Sequence, residues 1–216
     1  MRPLFPHWAN SLYRASLAVA GLGIAGIPAL LMIGARTPYA TGQGEPRAQP
    51  VKFDHRHHVR DDGIACLYCH GDAARGRFAG VPSTATCMGC HAQVWTESPE
   101  LAAVRASAID DRPIVWNRVN ALPGHVYFDH SIHVKKGVGC VTCHGRVDLM
   151  AQVFQAEPLT MAWCVDCHRD PDARLRPPGE VTNMEWAPTR PAAEIGREVA
   201  AALDVHPGTD CSTCHR

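Results

Sequence analysis

Ten cysteines and thirteen histidines stand in a chain of 216 residues, and every cysteine falls in a Cys-x-x-Cys-His unit. The units are Cys66-Cys69-His70, Cys87-Cys90-His91, Cys140-Cys143-His144, Cys164-Cys167-His168 and Cys211-Cys214-His215. In such a unit the two thiols add across haem vinyl groups to form thioethers, and the histidine ligates the iron. The two-residue gap lets the thiols reach neighbouring pyrrole rings while the imidazole projects under the plane toward the metal. A lone Cys-x-x-Cys more often suits a zinc half-site or a redox dithiol. Neither requires a histidine directly after the second cysteine, and here it follows in all five units. A disulfide scaffold does not repeat one spacing in this way. The pattern therefore predicts five covalently held haems c, with haem iron as the only metal.

Each iron needs a second axial ligand if it is to be closed. Five of the thirteen histidines belong to the motifs, and His7 precedes the apolar N-terminal stretch on the wrong side of a membrane. His55, His57, His58, His125, His130, His133 and His206 remain for the five irons. Residues three apart on a helical turn project from the same side at different heights, so His55/His58 and His130/His133 can each serve two haems. A surface histidine is ordinarily just solvated, but two such pairs in matching positions upstream of haem motifs favour ligation. His57 points off that face and is expected in solvent. The fifth distal ligand stays open among His125, Met161 and His206, and a Met ligand would raise the potential of its haem.

The elements that must position these groups come in two copies. Phe53-Asp54-His55-Arg56-His57-His58-Val59 matches Phe128-Asp129-His130-Ser131-Ile132-His133-Val134 as FDHxxHV, and each copy precedes a CxxCHG. Phe to first Cys is 13 residues in one copy and 12 in the other, and the second motif follows after 21 and 24 residues. Pro82-Ser83-Thr84 and Pro158-Leu159-Thr160 lead into the second motifs. Dihaem modules are thus expected over 51–96 and 126–172, separated by 97–125 and followed by 173–216 with the fifth motif. Short helices are expected from Ser98 to about Ser107, with Ser98 as N-cap and Pro99 in the first turn, from Val147 to Gln155, and from Pro191 to Leu203.

Aromatic residues are only 6% of the chain, while Gly numbers 18 and Pro 17. Such a composition predicts a loop-rich fold of short α-helices packed around the macrocycles, which supply apolar mass that side chains do not. Side-chain charges balance to zero, and the haem propionates would make the loaded protein acidic, so nothing points to nucleic acid.

Leu17 to Ala35 is a run of nineteen residues without a charge, just long enough to cross a bilayer core as a helix. Arg2 and Arg14 before it favour a cytoplasmic N-terminus over 1–16, although Arg36 follows closely. A cleaved signal peptide, cut near Tyr39-Ala40, is the competing reading. The run exceeds a usual signal core, so residues 17–35 are read as one transmembrane anchor. Residues 36–50 then form a linker, and the haem domain lies on the periplasmic side of the cytoplasmic membrane, where haem of this kind is attached. Pro28 would bend the anchor, and Gly21, Gly23 and Gly26 suit packing against other membrane helices.

FxHxxHV followed by CxxCH resembles the ligand pattern of cytochrome c3 and c7-type multihaem proteins. Over the whole chain the anchor, TGQGEPRAQPVKFDH, LPGHVYFDHSIHV, PLTMAWCVDCHR and the five motifs look like the ActA-type pentahaem cytochrome subunits of alternative complex III. That resemblance implies a membrane quinol:acceptor oxidoreductase. Its expected partners are a multi-span quinol-binding protein, an iron–sulfur subunit, a monohaem cytochrome, and a downstream soluble carrier or terminal oxidase. A related quinone reductase complex carries a similar anchored subunit with six haems, against five motifs here.

Three functions follow in order of fit. The first is an electron relay inside such a complex, with no catalytic residue of its own. The second is a self-sufficient quinol dehydrogenase similar to the NapC/NrfH type, which needs an acid or base near a haem; Asp54, Asp61 and Asp62 read instead as solvated loop charges. The third is a multihaem reductase, which needs one iron with an open face.

Overall fold

In the computed structural model, residues 5–215 are described. The chain divides into two compact units between Gly42 and Gln43. The first is dominated by α1, Ala9–Gly34, whose 26 residues bury no side chain within the protein. At about 1.5 Å per residue such a helix exceeds the roughly 30 Å of a bilayer core, so α1 is long and apolar enough to cross a membrane. It begins eight residues before the uncharged run read from sequence, because Ala9–Ser16 also adopt helical geometry. Arg2 lies outside the described residues. Pro28 sits inside α1, where it cannot donate the bond to the carbonyl one turn back. A single turn, α2 (Pro38–Thr41), closes the unit on Gly42 in a left-handed conformation (φ 70°), the glycine stop common at helix ends.

The second unit holds all ten cysteines. Its helices are α3 (Cys66–Cys69), α4 (Thr84–His91), α5 (Ala102–Asp110), α6 (His130–Lys135), α7 (Cys140–His144), α8 (Met161–Arg169), α9 (Ala192–Ala202) and α10 (Cys211–Cys214). The motif helices α3, α7 and α10 are single turns. Asp210 and Thr160 cap α10 and α8 by accepting from the backbone N–H of Thr213 and Trp163. Among the described residues β-pairing is limited to isolated bridges, Gln43 with Gln155, Pro46 with Phe154, Val126 with His215 and Val138 with Leu175.

Two local readings change. The expected helix from Ser98 begins as a tight turn over Pro99–Leu101 before α5, and Ser98 makes no side-chain cap. The expected helix over Val147–Gln155 reduces to one tight turn, Val147–Leu149, since Phe154 and Gln155 bridge instead to Pro46 and Gln43. That pairing also ties down part of the linker expected over 36–50: the Gln49 side chain donates to Asn117 O (2.8 Å) and Gln152 to Arg47 O (2.7 Å).

Side-chain cores are small. Nine apolar side chains are buried among the described residues, far too few to order a unit of this length, given a cost of about 1–2 kcal/mol per residue in backbone entropy. One cluster joins Val51, Leu101 and Val104 to Cys87, Met88, Ile114 and Trp116. The other joins Leu175, Ile195 and Val199 to Val138, Trp186 and Leu203. In the second, α9 lies hard against the Asp172–Arg174 turn, and a Cβ on Gly196 would run into the Asp172 carbonyl. Gly196→Ala is expected to cost about 1–3 kcal/mol and to lower the melting temperature of the haem-loaded protein by several degrees. Gly179→Ala, where a Cβ meets nothing within 4 Å, should leave it unchanged; thermal circular dichroism of both variants checks this.

Candidate functional site

The FDHxxHV repeat builds the same small device twice. Phe53 meets His55 edge-on at 4.7 Å and stacks on His58 at 4.3 Å; Phe128 meets His130 edge-on at 4.7 Å and lies against His133 at 4.5 Å. Each Phe is a wedge that fixes two imidazoles of one turn. The following Asp starts the turn: Asp54 Oδ1 accepts from Arg56 N (2.9 Å) and Asp129 Oδ1 from Ser131 N (2.8 Å). Its backbone carbonyl then takes the Nδ1–H of the second histidine, Asp54 O from His58 (3.0 Å) and Asp129 O from His133 (2.7 Å). With Nδ1 occupied, Nε2 is the free ligating atom. The Arg56 guanidinium paired to Asp54 holds that carboxyl down at about 2. The turn is α6 in the second copy but a wider π-type turn, Arg56–Asp61, in the first.

Opposite these imidazoles stand the motif histidines. His58 faces His91 at 6.1 Å between ring centroids, His130 faces His144 at 6.3 Å, and His133 faces His168 at 6.1 Å. His125 and His215 lie at 5.5 Å. A metal–imidazole bond of about 2.0–2.1 Å, with the ring nitrogen about 1.1 Å from the centroid, sets two trans imidazoles about 6.2 Å apart. Interplanar angles from 10° to 66° are all admissible, since metal ligation does not itself set a ring's rotation about the bond. His55, edge-on to Phe53, is largely buried, and its pKa is pushed down to about 4 by desolvation and then by the imidazole of His70.

Of the three residues left open for the fifth distal position, His125 lies beside a motif histidine. Met161 is 69% exposed, and His206 is in solvent with Nε2 on Asp204 Oδ1 at 2.9 Å. His57 is exposed and paired to Asp61 at 3.0 Å.

The motif histidines are aimed in the same manner. His70 Nδ1–H donates to Gly80 O (3.0 Å), His91 to Val94 O (3.1 Å), His168 to Gly208 O (2.8 Å) and His215 to His125 O (3.3 Å). At His144 the neighbour is the side chain of Asn120, with Nδ2 3.1 Å from Nδ1 and Oδ1 buried without a partner. A half-turn of that amide leaves its shape unchanged and lets Oδ1 accept the Nδ1–H. Burial holds His144 down to about 4, in the neutral form that ligates metal.

These residues fit haem c. Among the described residues no three His, Cys, Asp or Glu side chains gather as a bare metal ion requires; the donors instead stand as facing pairs, each beside two thiols. Among the described residues the buried side-chain polar atoms lacking partners are His55 Nδ1, Asn120 Oδ1 and Arg176 Nε, and Asn120 lies beside His144. Arg176 packs its Nε against Gly139, next to Cys140, and a propionate would supply the anion that its buried guanidinium lacks. Desolvation raises the thiols of Cys66, Cys69, Cys87, Cys140, Cys143, Cys164 and Cys167, that of Cys143 to about 12. Sequence reasoning missed the Phe wedges and Asn120. The wedge had a signal, since Phe recurs at the same offset in both copies; Asn120 had none.

Comparison with known proteins agrees with this geometry. Residues 126–216 match the family described as cytochrome c7 and related cytochrome c. A stretch of 99 residues is 37% identical to the multiheme cytochrome c subunit of menaquinone reductase from Nitratidesulfovibrio vulgaris (strain Hildenborough), covering 45% of this chain and 46% of that protein. The chain thus matches about half the length of this relative. Residues 126–216 are thus similar to multihaem cytochromes c, and the fold observed is the loop-rich arrangement of short helices expected of that class.

Asn120→Leu is expected to raise the midpoint potential of one haem, on the order of tens of millivolts, by removing the acceptor that makes His144 a stronger donor. Asn120→Asp should lower the same midpoint. Spectroelectrochemical titration of the loaded protein reads both.

Proposed function

We propose that this chain is the pentahaem electron-relay subunit of a membrane quinol oxidoreductase of the alternative complex III type. The observation that carries the relay reading is that four of the five motif histidines have a second imidazole facing them, so that those irons would have both axial positions filled. Cys66/Cys69, Cys87/Cys90, Cys140/Cys143, Cys164/Cys167 and Cys211/Cys214 would hold five haems c. His70, His91, His144, His168 and His215 would be the proximal ligands, and His55, His58, His130, His133 and His125 the distal ones.

Bound haem supplies reversible one-electron exchange at iron. The protein's own contribution is positional. Carbonyls fix most of the imidazoles by Nδ1, the Phe wedges hold neighbouring distal rings at a set spacing, and the thioether cysteines fix each macrocycle at two further points. An iron held between two such imidazoles would have no place for a small substrate, which disfavours the reductase reading. The resemblance of the whole chain to pentahaem subunits and the partial likeness to a menaquinone reductase subunit both support a quinone-linked complex. In this reading α1 is the anchor, residues 51–96 and 126–172 are the dihaem modules, and the haem domain is periplasmic. The partners are a multi-span quinol-binding subunit, an iron–sulfur subunit and a monohaem cytochrome. A soluble carrier or terminal oxidase receives the electrons. A self-sufficient quinol dehydrogenase has less support, because Asp54 is committed to Arg56 and to its own turn.

The reading is tested on solubilised membranes. The haem-to-protein ratio should be five, the ferrous protein should not bind carbon monoxide, and the chain should migrate with partner bands on a haem-stained native gel. His125→Ala should create one high-spin, carbon monoxide-binding haem, while Met161→Leu and His206→Ala should leave the spectrum unchanged. Migration of the chain alone would remove the subunit assignment, and an unchanged His125→Ala spectrum would remove that ligand.

A further inference from the structure

We infer that the five sites are threaded in space in the order second, first, third, fourth, fifth motif, so that electrons enter and leave at His91 and at His215. This rests on the five-site reading above and adds an order that the chain itself does not follow.

Two of the links are the shared turns. His55 and His58 flank the one Phe53 ring, and His58 faces His91; with His55 serving His70, the first and second sites are neighbours. His130 and His133 sit on α6 and reach His144 and His168, so the third and fourth are neighbours. The fourth and fifth are joined by the chain just before the last motif, where Gly208 O accepts from His168 Nδ1 at 2.8 Å. Tyr127 N, close to the second repeat, donates to Cys214 O at 2.7 Å.

The remaining link decides the order. Sequence order would set the second site beside the third. The structure instead joins the first to the third, through two successive residues: Cys140 N donates to Val181 O at 2.9 Å, and Cys66 Sγ reaches Thr182 O at 3.8 Å. The modules also cross. Ser131 N donates to Gly76 O at 3.1 Å, and His130 Nδ1–H to Arg77 O at 2.7 Å, both on the strip that follows the first motif. In return the Arg56–Asp61 turn packs against Val147–Leu149, which follows the third motif.

The second motif is bounded on its other side by protein rather than by another site. Cys87 and Met88 pack on the Val51–Leu101–Val104 cluster, and Thr84 Oγ1 bonds Ser107 Oγ at 2.6 Å. Exposure marks the same two ends, since Cys90 and Cys211 are the exposed cysteines and the other eight are partly covered. An internal site must be covered on both sides by its neighbours, whereas a port must lie near a surface. The first motif, earliest in the chain, is therefore an interior relay point, and the second is a port.

The test uses the full-length, haem-loaded protein and marks single sites with a distal Met, which raises the potential of its haem and gives it a distinct absorption. His55→Met marks the first site, His58→Met the second, and each is combined with His130→Met at the third. The midpoint of the first site should shift when the third is altered, and that of the second should not. A larger shift at the second site would overturn the order. Should a Met variant lose its haem, nuclear Overhauser contacts between haem methyls of the ferrous wild type decide: contacts between first and third sites are expected, and contacts between second and third would overturn it. Fewer than five haems, or high-spin iron in the wild type, would instead remove the five-site reading and the order with it.

Discussion

Pairs of imidazoles held about 6 Å apart across a gap, most of the rings turned by Nδ1 toward an acceptor, set the terms for nearly everything else in this protein. Such an arrangement has no reason to exist in an ordinary core, where a facing pair of neutral rings with both Nε2 atoms unsatisfied would be costly. It becomes favourable once a metal lies between. Around it the chain arranges single-turn helices that place thiols, turns that place distal rings, and carbonyls that choose which nitrogen stays free. Regular secondary structure is short because its task is to aim side chains at a centre outside the helix rather than to pack helices together.

The same constraint explains the thin core. Two small apolar clusters, around Val51 and Leu175, cannot offset the entropy of ordering the larger unit. In the proposed ligation, thioether and axial bonds would do more, each macrocycle tying a motif to a histidine elsewhere in the chain, from His215 to His125 at the widest. In this respect the cofactors act as metal sites do in small domains, where binding energy is also folding energy.

Much of this was legible in the chain, and for identifiable reasons. The CxxCH motifs were legible because covalent attachment demands fixed residues at a fixed spacing. The FDHxxHV turns were legible because duplication repeated them, though not the meaning of the Phe, which packs without chemistry of its own. His125 could not be chosen over Met161 or His206, since nothing local sets it apart; its position depends on Val126 bridging to His215 and Tyr127 bonding Cys214, contacts some ninety residues apart in the chain. The helix expected over Val147–Gln155 failed for a related reason. Its local pattern was adequate, but residues 43–46 claim Phe154 and Gln155 first.

The crossing of the modules shows how duplication and spatial order come to differ. Each module brings one turn with two distal rings, and each turn must bridge two sites, so a module alone yields a pair. Joining two pairs end to end in sequence would put the second motif against the third, with long connections to cover. Packing each distal turn on the strip after the other module's first motif places the two leading motifs at the centre, and both can share the Val181–Thr182 segment as a common support. The trailing motifs are then carried outward, one toward α5 and the other toward the fifth motif. The inter-module segment thereby gains its role: residues 97–125 close the outer side of the second motif through Leu101 and Val104 and also deliver Asn120 to the back of His144. One stretch of chain that carries no haem ligand before His125 thus serves both an end and the centre of the row.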